Sequence, residues 1–179
     1  MALWENLTKY AEANDSMRLY KAVDEYLEQG VYNNTLLEWA ASTGNVAVLR
    51  YLKRQGVSYT KYGRYALCFA SQNSQIETSK VLLEDITDKQ WINEALYRAV
   101  SYSTVECACI FLEAGANPNA TLLPPVIEAI RRNDLEMVKL LHQYGANLSV
   151  QWGWPLKLAK QKGFTEIAEY IEQNVLVMR

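Results

Sequence analysis

The chain has 179 residues, of which 50% are hydrophobic and 21% are charged, and its formal net charge is -2. This length suits one domain or a short repeat array, and the apolar fraction supplies a sizeable core. The near-neutral charge argues against a general polyanion binder, because nucleic-acid-binding domains usually carry a clear basic excess, although a local basic patch stays compatible with it. The three cysteines, Cys68, Cys107 and Cys109, show no repeated spacing, so we expect reduced, buried or half-buried thiols and no disulfide framework.

The first segment of the chain predicts an irregular helix pair that caps the N-terminal end. Apolar residues at helical spacing form two stripes, one from Leu7 to Ala11 and one from Leu19 to Leu27, and Gly30 ends the pair. Acidic residues such as Asp24 and Glu28 are expected to face water. Because neither a signal peptide nor a membrane-spanning apolar stretch is visible, we expect a cytoplasmic protein.

Five similar units, with a period of about 30 residues, follow this cap. Each unit opens with an apolar residue three positions before a small residue, and these openings are Leu37, Leu67, Leu96, Val126 and Leu156. A second amphipathic helix follows, as at Val48, Leu49 and Leu52. Three of these second helices are followed by a glycine, at Gly56, Gly115 and Gly145. Such short helix pairs bury their apolar faces only when they stack on one another.

We therefore predict a single repeat domain over residues 1–179. Its segments are an N-terminal cap pair at 1–34, repeats at 35–64, 65–93, 94–123 and 124–153, and a C-terminal cap repeat with an apolar tail at 154–179. The tail, Val175 to Met178, is expected to pack back on the last helix. The alternative is an exposed apolar patch. Such a patch would contact a partner, or it would make the chain a weak homo-oligomer and not a monomer.

Three segments match the repeat of a known family. Glu113 to Ala120 is similar to its "EAGADVNA" ending, Asn133 to Leu141 is similar to its "GHLEVVKLL" helix, and Trp154 to Ala159 is similar to its "TPLHLA" opening. On these motifs the chain resembles the ankyrin repeat family from Thr35 to about Asn174. The match is stronger at 94–153 than at 65–93.

The resemblance implies an all-α fold, an ankyrin-type solenoid of about six stacked helix pairs. The family period is about 33 residues, whereas the period here is near 30. Because the helices align without gaps, the missing residues must come from the loops, such as the nine-residue step from Gly56 to Tyr65. We therefore expect short loops in place of full β-hairpin fingers.

Motifs for catalysis, cofactor binding or metal binding are not visible in this sequence. His142 is the single histidine, no G-x-S-x-G elbow supplies a nucleophile, and no glycine-rich phosphate loop is present. Carboxylate pairs such as Glu84 and Asp85 are adjacent in sequence and do not face each other on a helix. We predict that the protein is not an enzyme and that it has no catalytic residues, cofactor or metal.

The resemblance places the binding surface on the concave face, which the first helices and the loops before them line. One group of expected contacts follows the paired small residues: Ser42, Thr43, Gln72, Asn73, Ser101, Tyr102, Arg131, Arg132, Gln161 and Lys162. A second group precedes the unit openings: Asn34, Arg64, Asn93 and Leu123. The loop aromatics Tyr59, Tyr62 and Trp152 join them, because aromatic residues often anchor interfaces. We expect Tyr59 and Tyr62 to be exposed. We expect Trp91 and Trp154 to pack between neighbouring repeats. For Trp152, packing within the fold and contact with a partner stay equally open.

The expected function is that of a non-catalytic protein–protein interaction module. Arg131, Arg132 and Lys162 share the expected face, so the partner would carry an acidic patch. The alternative is that these residues only form the solvated outer surface of the C-terminal cap. An adaptor, an inhibitor or a decoy fits, including a viral, phage or bacterial factor that acts on a host or defence protein in the host cytosol. The alternatives are a small-molecule or nucleotide sensor with its pocket among Tyr102, Arg131 and Arg132, and a nucleic-acid binder or mimic.

Overall fold

The computed structural model describes residues 2–30, 33–120 and 124–176, and the described residues form helices and no strand. The helices are α1 (Ala2–Glu12), α2 (Ser16–Glu28), α3 (Asn33–Ser42), α4 (Val46–Arg54), α5 (Tyr59–Gln72), α6 (Ile76–Leu83), α7 (Lys89–Tyr102), α8 (Val105–Glu113), α9 (Pro125–Arg131), α10 (Leu135–Gln143), α11 (Val150–Lys162) and α12 (Thr165–Leu176). They follow one another as six pairs, the first being the predicted N-terminal cap. The prediction of an all-α chain of about six helix pairs is confirmed.

The helices group into two compact units, which are described separately. Unit 1 comprises residues 1–70 and 75–87, and unit 2 comprises residues 71–74 and 88–179. In unit 1, α1 packs on α2, α3 packs on α4, and α4 packs on α6. In unit 2, the first helices α7, α9 and α11 lie next to one another in one layer, and the second helices α8, α10 and α12 form another.

A tight turn with a left-handed residue joins the two helices of most pairs. The backbone angle φ there is 54° at Asn14, 75° at Gly44, 57° at Ser74, 56° at Asn133 and 73° at Gly163. After three of these turns the side chains of Asp15, Asn45 and Asp134 accept hydrogen bonds of 3.0–3.1 Å from the backbone N–H three residues later. Each such bond satisfies a backbone donor at a helix start, so the turn also fixes where the second helix begins.

The apolar stripes predicted for the second helices form the core of each unit. Val48, Leu49 and Leu52 of α4 are fully buried in unit 1, and Met137 and Val138 of α10 are fully buried in unit 2. Burial of one such side chain stabilises a fold by roughly 1.5–3 kcal/mol. The predicted glycines after these helices adopt left-handed conformations, with φ of 84° after α4 and 89° after α10.

Two first helices are longer than predicted and occupy residues that were expected to form loops. The helix α5 begins at Tyr59 and α7 begins at Lys89, so the predicted repeat boundaries at 65 and 94 fall inside them. The carboxylate of Asp88 explains the second start, because it accepts hydrogen bonds from the backbone N–H groups of Gln90, at 2.9 Å, and Trp91, at 3.1 Å. The nine-residue step from Gly56 to Tyr65 is therefore only partly a loop, because α5 already begins at Tyr59.

The N-terminal cap differs in one detail from the prediction, and part of the predicted tail lies outside the described residues. In the cap, Asp24 accepts a 2.6 Å hydrogen bond from the Tyr51 hydroxyl, so this carboxylate is half-buried and does not simply face water. At the other end, Val177 and Met178 of the apolar tail lie outside the described residues. Among the described residues, none of the helices combines the length and the apolar character that a membrane span requires.

Candidate protein-binding surface

In unit 1, hydrogen bonds join the first helices α3 and α5 near their starts, and join the segment after α5 to the end of α3. Near their starts the hydroxyl of Tyr62 is hydrogen-bonded to the side chain of Asn33. Near their ends the side chain of Gln75 donates a 3.4 Å hydrogen bond to the carbonyl oxygen of Ser42. The two helices are therefore adjacent, and their outward-facing residues belong to one surface.

The predicted contact residues of α3 are placed at this surface, but two of them also bond to their own helix. Asn34 is exposed at the start of the helix. The hydroxyls of Ser42 and Thr43 donate to the carbonyl oxygen of Trp39, at 3.0 and 2.8 Å. These bonds add to the one that the same carbonyl accepts from the backbone N–H of Thr43 at 3.0 Å. They are thus part of the scaffold at the edge of the surface.

The expectation that Tyr59 is an exposed loop residue is wrong. Tyr59 is the first residue of α5, its side chain is only 2% exposed, and its hydroxyl donates to the carbonyl oxygen of Leu49. Burial raises the pKa of this phenol, and Asp85 and Glu84 raise it further. The side chain therefore belongs to the core of unit 1 and is not accessible to a partner.

Tyr62 and Arg64 also lie in α5, both half-buried, and not in a polar loop. The hydrogen bond from Lys61 lowers the pKa of the Tyr62 phenol, and Asn33 acts in the same direction. The guanidinium of Arg64 lies over the ring of Tyr65, 5.6 Å from its centroid. Both predicted residues therefore flank the outward face of the helix.

Two exposed aromatic residues at the centre of α5 were not predicted. Tyr65 is 57% exposed and Phe69 is 40% exposed, and they lie four residues apart on the same side of the helix. Lys61 continues this line one turn earlier and is exposed as well. Aromatic residues four apart on the polar side of an amphipathic helix are the signal that could have identified them from the sequence.

In unit 2, the predicted residues of the first helices fall into exposed and structural groups. Tyr102, at the end of α7, is 59% exposed, and Asn73, Gln161 and Lys162 are exposed too. Gln72 is half-buried, as is Ser101, whose hydroxyl oxygen is buried with no hydrogen-bond partner among the described residues. Leu123 lies outside the described residues.

Asn93 belongs to a chain of hydrogen bonds that holds the loops of unit 2. Its side-chain oxygen accepts from the backbone N–H of Asn117 at 2.7 Å. In the next loop, the Asn119 side chain accepts from the Asn147 backbone N–H at 2.9 Å and donates to the Gly145 carbonyl oxygen at 2.8 Å. Each asparagine thus fixes the loop that follows it, so Asn93 serves the scaffold of unit 2.

The two predicted arginines of unit 2 have different roles. Arg132 donates to two carbonyl oxygens at the end of α7, to Val100 at 2.7 Å and to Ser103 at 3.3 Å. Arg131 is exposed and pairs with Glu128 of its own helix at 3.4 Å. The guanidinium of Arg132 therefore serves as a clamp between α9 and α7, and the charge of Arg131 is partly balanced.

Trp152 is the most exposed large apolar side chain among the described residues, at 95%. It lies in a left-handed turn within α11, where φ is 53° at Gln151, 61° at Trp152 and 77° at Gly153. Left-handed backbone at a residue other than glycine is strained, and such strain is often found at functional sites. Trp91 and Trp154 are half-buried.

No group of three potential metal ligands among His, Cys, Asp and Glu lies together in the part of the chain that the structure describes. His142 shares a 2.9 Å hydrogen bond with the hydroxyl of Tyr170 on the neighbouring helix α12. Cys107 is buried and Cys68 and Cys109 are half-buried, as expected, and burial raises the pKa of the Cys107 thiol.

Comparison with known proteins identifies relatives among inhibitors. The family model described as ankyrin repeats (3 copies) matches residues 11–92. Cyclin-dependent kinase 4 inhibitor B of Rattus norvegicus is 34% identical over 115 residues, covering 59% of this chain and 88% of that protein. The Homo sapiens protein of the same name is 32% identical over 115 residues, covering 59% of this chain and 83% of that protein. Cyclin-dependent kinase inhibitor 2A of Monodelphis domestica is 31% identical over 116 residues, covering 59% and 68% respectively.

Proposed function

This chain belongs to the ankyrin repeat family, and we propose that it is a non-catalytic protein-binding module that inhibits its partner. The observation that carries the proposal is the exposure of aromatic side chains on first helices, Tyr65 and Phe69 on α5 and Tyr102 on α7. Large apolar side chains are more often buried, so an exposed group of them indicates a surface that contacts a partner. Tyrosine is also among the residues that most often anchor interfaces. The similarity to inhibitor proteins favours inhibition over a passive adaptor role.

The relatives also suggest which partner to test first. Their names describe inhibitors of cyclin-dependent kinases, and the chain covers most of the length of the rat and the human protein. We therefore propose a cyclin-dependent kinase as the partner. A cytoplasmic location is kept as part of this proposal. An acidic patch on the partner is kept as well, with the exposed residues Arg131 and Lys162 as the cations that would face it.

A direct test uses purified cyclin-dependent kinase 4 with its cyclin. The full chain is added at increasing concentration, and phosphorylation of a protein substrate is measured. Inhibition that saturates at one chain per kinase is the expected result. The double variant Tyr65→Ser/Phe69→Ser should lose the inhibition, whereas Tyr144→Ser, at the residue that follows α10 and is as exposed as Phe69, should retain it. Full kinase activity at saturating wild-type protein would refute the proposed inhibition of this kinase.

The sensor alternative places a small molecule among Tyr102, Arg131 and Arg132. The hydrogen bonds of Arg132 to the end of α7 argue against it, because that guanidinium is already used by the scaffold. The protein-binding proposal is therefore preferred.

A further inference from the structure

The N-terminal part of the chain is acidic, although the whole chain is close to neutral. Residues 1–45 contain seven acidic and three basic residues, whereas the whole chain contains 20 and 18. One of these carboxylates, Asp15, pairs with Arg18 at 3.5 Å. Glu12, the last residue of α1, is exposed and pairs with no cation among the described residues. Glu12 therefore places an uncompensated negative charge on the surface of unit 1.

A cavity of about 550 Å³ lies beside Glu12, between the end of α1 and the turn that joins α3 to α4. Trp39 lines it, and this side chain is only 4% exposed and donates a 3.2 Å hydrogen bond from its indole N–H to the Thr8 hydroxyl. Ala11 and Val46, both half-buried, supply further apolar surface. Pockets that bind small groups have volumes of roughly 300–1,000 Å³. The cavity is thus an apolar recess that is large enough to take up a side chain of another molecule.

The polar groups that line this cavity differ in what they can still bind. The Thr43 hydroxyl donates to the carbonyl oxygen of Trp39, and the side-chain oxygen of Asn45 accepts from the backbone N–H of Val48. Both groups are therefore engaged in the turn that joins α3 to α4. Glu12 is the only charged side chain among the described lining residues, and its carboxylate has free acceptor sites.

A ligand that complements this site has an apolar stem and a cationic head. Lysine and arginine side chains have this form, because several methylene groups precede the charge. The methylenes would cover the apolar wall at Ala11, Trp39 and Val46, and the head would donate to the Glu12 carboxylate. Among the described lining residues there is no lysine or arginine of the chain itself. The complementary cation must therefore come from another molecule.

We propose that the cavity beside Glu12 binds a lysine or arginine side chain from a segment of a partner protein. This inference deepens the proposed protein-binding function, on which it rests, and adds a contact region outside the first-helix surface, since no residue of α5 is among the described lining residues. The apolar stem supplies most of the affinity, because a partly exposed ion pair contributes little. The carboxylate selects a basic residue against a neutral or acidic one.

The test selects ligands without assuming the kinase. A phage-displayed library of peptides, each with one fixed Lys or Arg among random residues, is selected against the immobilised full chain. Peptides that also bind the variant Glu12→Lys are removed. The affinities of the remaining peptides are then measured in solution, and the NMR signal of the Trp39 indole N–H is followed during the titration.

Three variants separate the charge of the site from its apolar recess. Glu12→Gln removes the charge, Glu12→Lys reverses it, and Ala11→Leu fills the recess with a residue that also favours a helix. The matched controls are Glu5→Lys, exposed on the same helix, and Ala120→Leu, exposed in a loop of unit 2. Neither control position is among the described lining residues. Thermal melting followed by circular dichroism verifies that each variant is folded.

The expected result is a set of peptides that shift the Trp39 indole signal and depend on their fixed basic residue. Glu12→Gln should weaken their binding about threefold, and Glu12→Lys and Ala11→Leu at least about tenfold, whereas both controls should bind as wild type does. Replacing the fixed Lys by norleucine, or the fixed Arg by citrulline, should cost about threefold with wild type and nothing with Glu12→Gln. This pattern identifies the two charges as a pair.

Three results would overturn the proposal: a selection that enriches no peptide, peptides that keep full affinity when the basic residue is neutralised, or an equal loss of binding with Glu5→Lys. The kinase is absent from this experiment, so the two proposals fail separately. Kinase inhibition together with an empty selection would reject only the cavity as a binding site. Basic peptides in the cavity together with an uninhibited kinase would reject only the proposed partner.

Discussion

Unit 1 and unit 2 are both built from helix pairs of the same kind, but different types of side chain stabilise each unit. In unit 2 the loops are tied by asparagine side chains such as Asn119, and Arg132 of α9 clamps the end of α7. In unit 1 two tyrosines make scaffold contacts, with Tyr59 buried against α4 and Tyr51 hydrogen-bonded to Asp24. A side chain that completes the scaffold is not available to a partner. The comparison therefore separates two groups of aromatic and charged residues. One group stabilises the fold, and the other remains accessible to a partner protein.

The largest expected effect concerns Tyr59 in unit 1. Tyr59→Ala removes a buried ring and its hydrogen bond, so the free energy of unfolding should fall by about 3–5 kcal/mol. Urea denaturation gives the loss, and amide hydrogen exchange should show it in α4 and α5. A loss below about 1 kcal/mol would mean that this ring is not part of the core of unit 1.

The hydrogen bonds of Arg132 in unit 2 are tested by comparing alanine variants of two neighbouring arginines. Arg132→Ala leaves two carbonyl oxygens of α7 without their charged donor and should cost about 1–2 kcal/mol, since these bonds are partly solvated. Arg131→Ala removes only an exposed ion pair within one helix and should cost at most about 0.5 kcal/mol. Both values come from urea denaturation, and equal costs would contradict the assignment of Arg132 to the scaffold.

A smaller loss is expected for the asparagine bonds. Asn119→Ala removes one accepted and one donated hydrogen bond at exposed loops, for which we expect a loss of about 1 kcal/mol. Hydrogen exchange should become faster at the Asn147 amide, which loses its acceptor. Gln161→Ala, on the exposed side of α11, is the matched control and should be neutral. Unchanged exchange at Asn147 in the Asn119 variant would show that the bond does not hold this loop.

The smallest effect has the opposite sign. Trp152 has φ of 61° and an almost fully exposed side chain, so Trp152→Gly relieves backbone strain and loses little burial. Because glycine also increases the entropy of the unfolded chain, the net gain should be about 0.5 kcal/mol. Thermal melting measures it. A decrease in stability would indicate that the indole packs on the fold in solution.

Much of the fold could be predicted, because helical periodicity and turn chemistry are local. The stripe Val48, Leu49 and Leu52 and the glycines Gly56 and Gly145 after the second helices lie where the sequence pattern predicted them. The early starts of α5 and α7 were missed. For α7 a local signal existed, the capping carboxylate of Asp88. The start of α5 coincides with the burial of Tyr59 against α4, a contact that joins residues ten positions apart and that no helical pattern shows.

The candidate surface was less predictable than the fold. The resemblance identified positions at the ends of the first helices, but a position does not reveal whether its side chain already has a partner in the scaffold. Asn93 and Arg132 make bonds to backbone groups 24 and 32 residues away, which no local pattern shows. Tyr65 and Phe69, in contrast, were detectable, because their spacing places two rings on the polar side of an amphipathic helix.

The most direct test of the proposed binding surface is a calorimetric titration of purified cyclin-dependent kinase 4 with wild type, with Tyr65→Ser/Phe69→Ser and with Tyr144→Ser. We predict a complex with a dissociation constant of about 1 μM or tighter for wild type and for Tyr144→Ser, and at least about tenfold weaker binding for the double variant. Wild-type binding that is equal in the double variant would contradict the assignment of the partner surface to the first helices of unit 1.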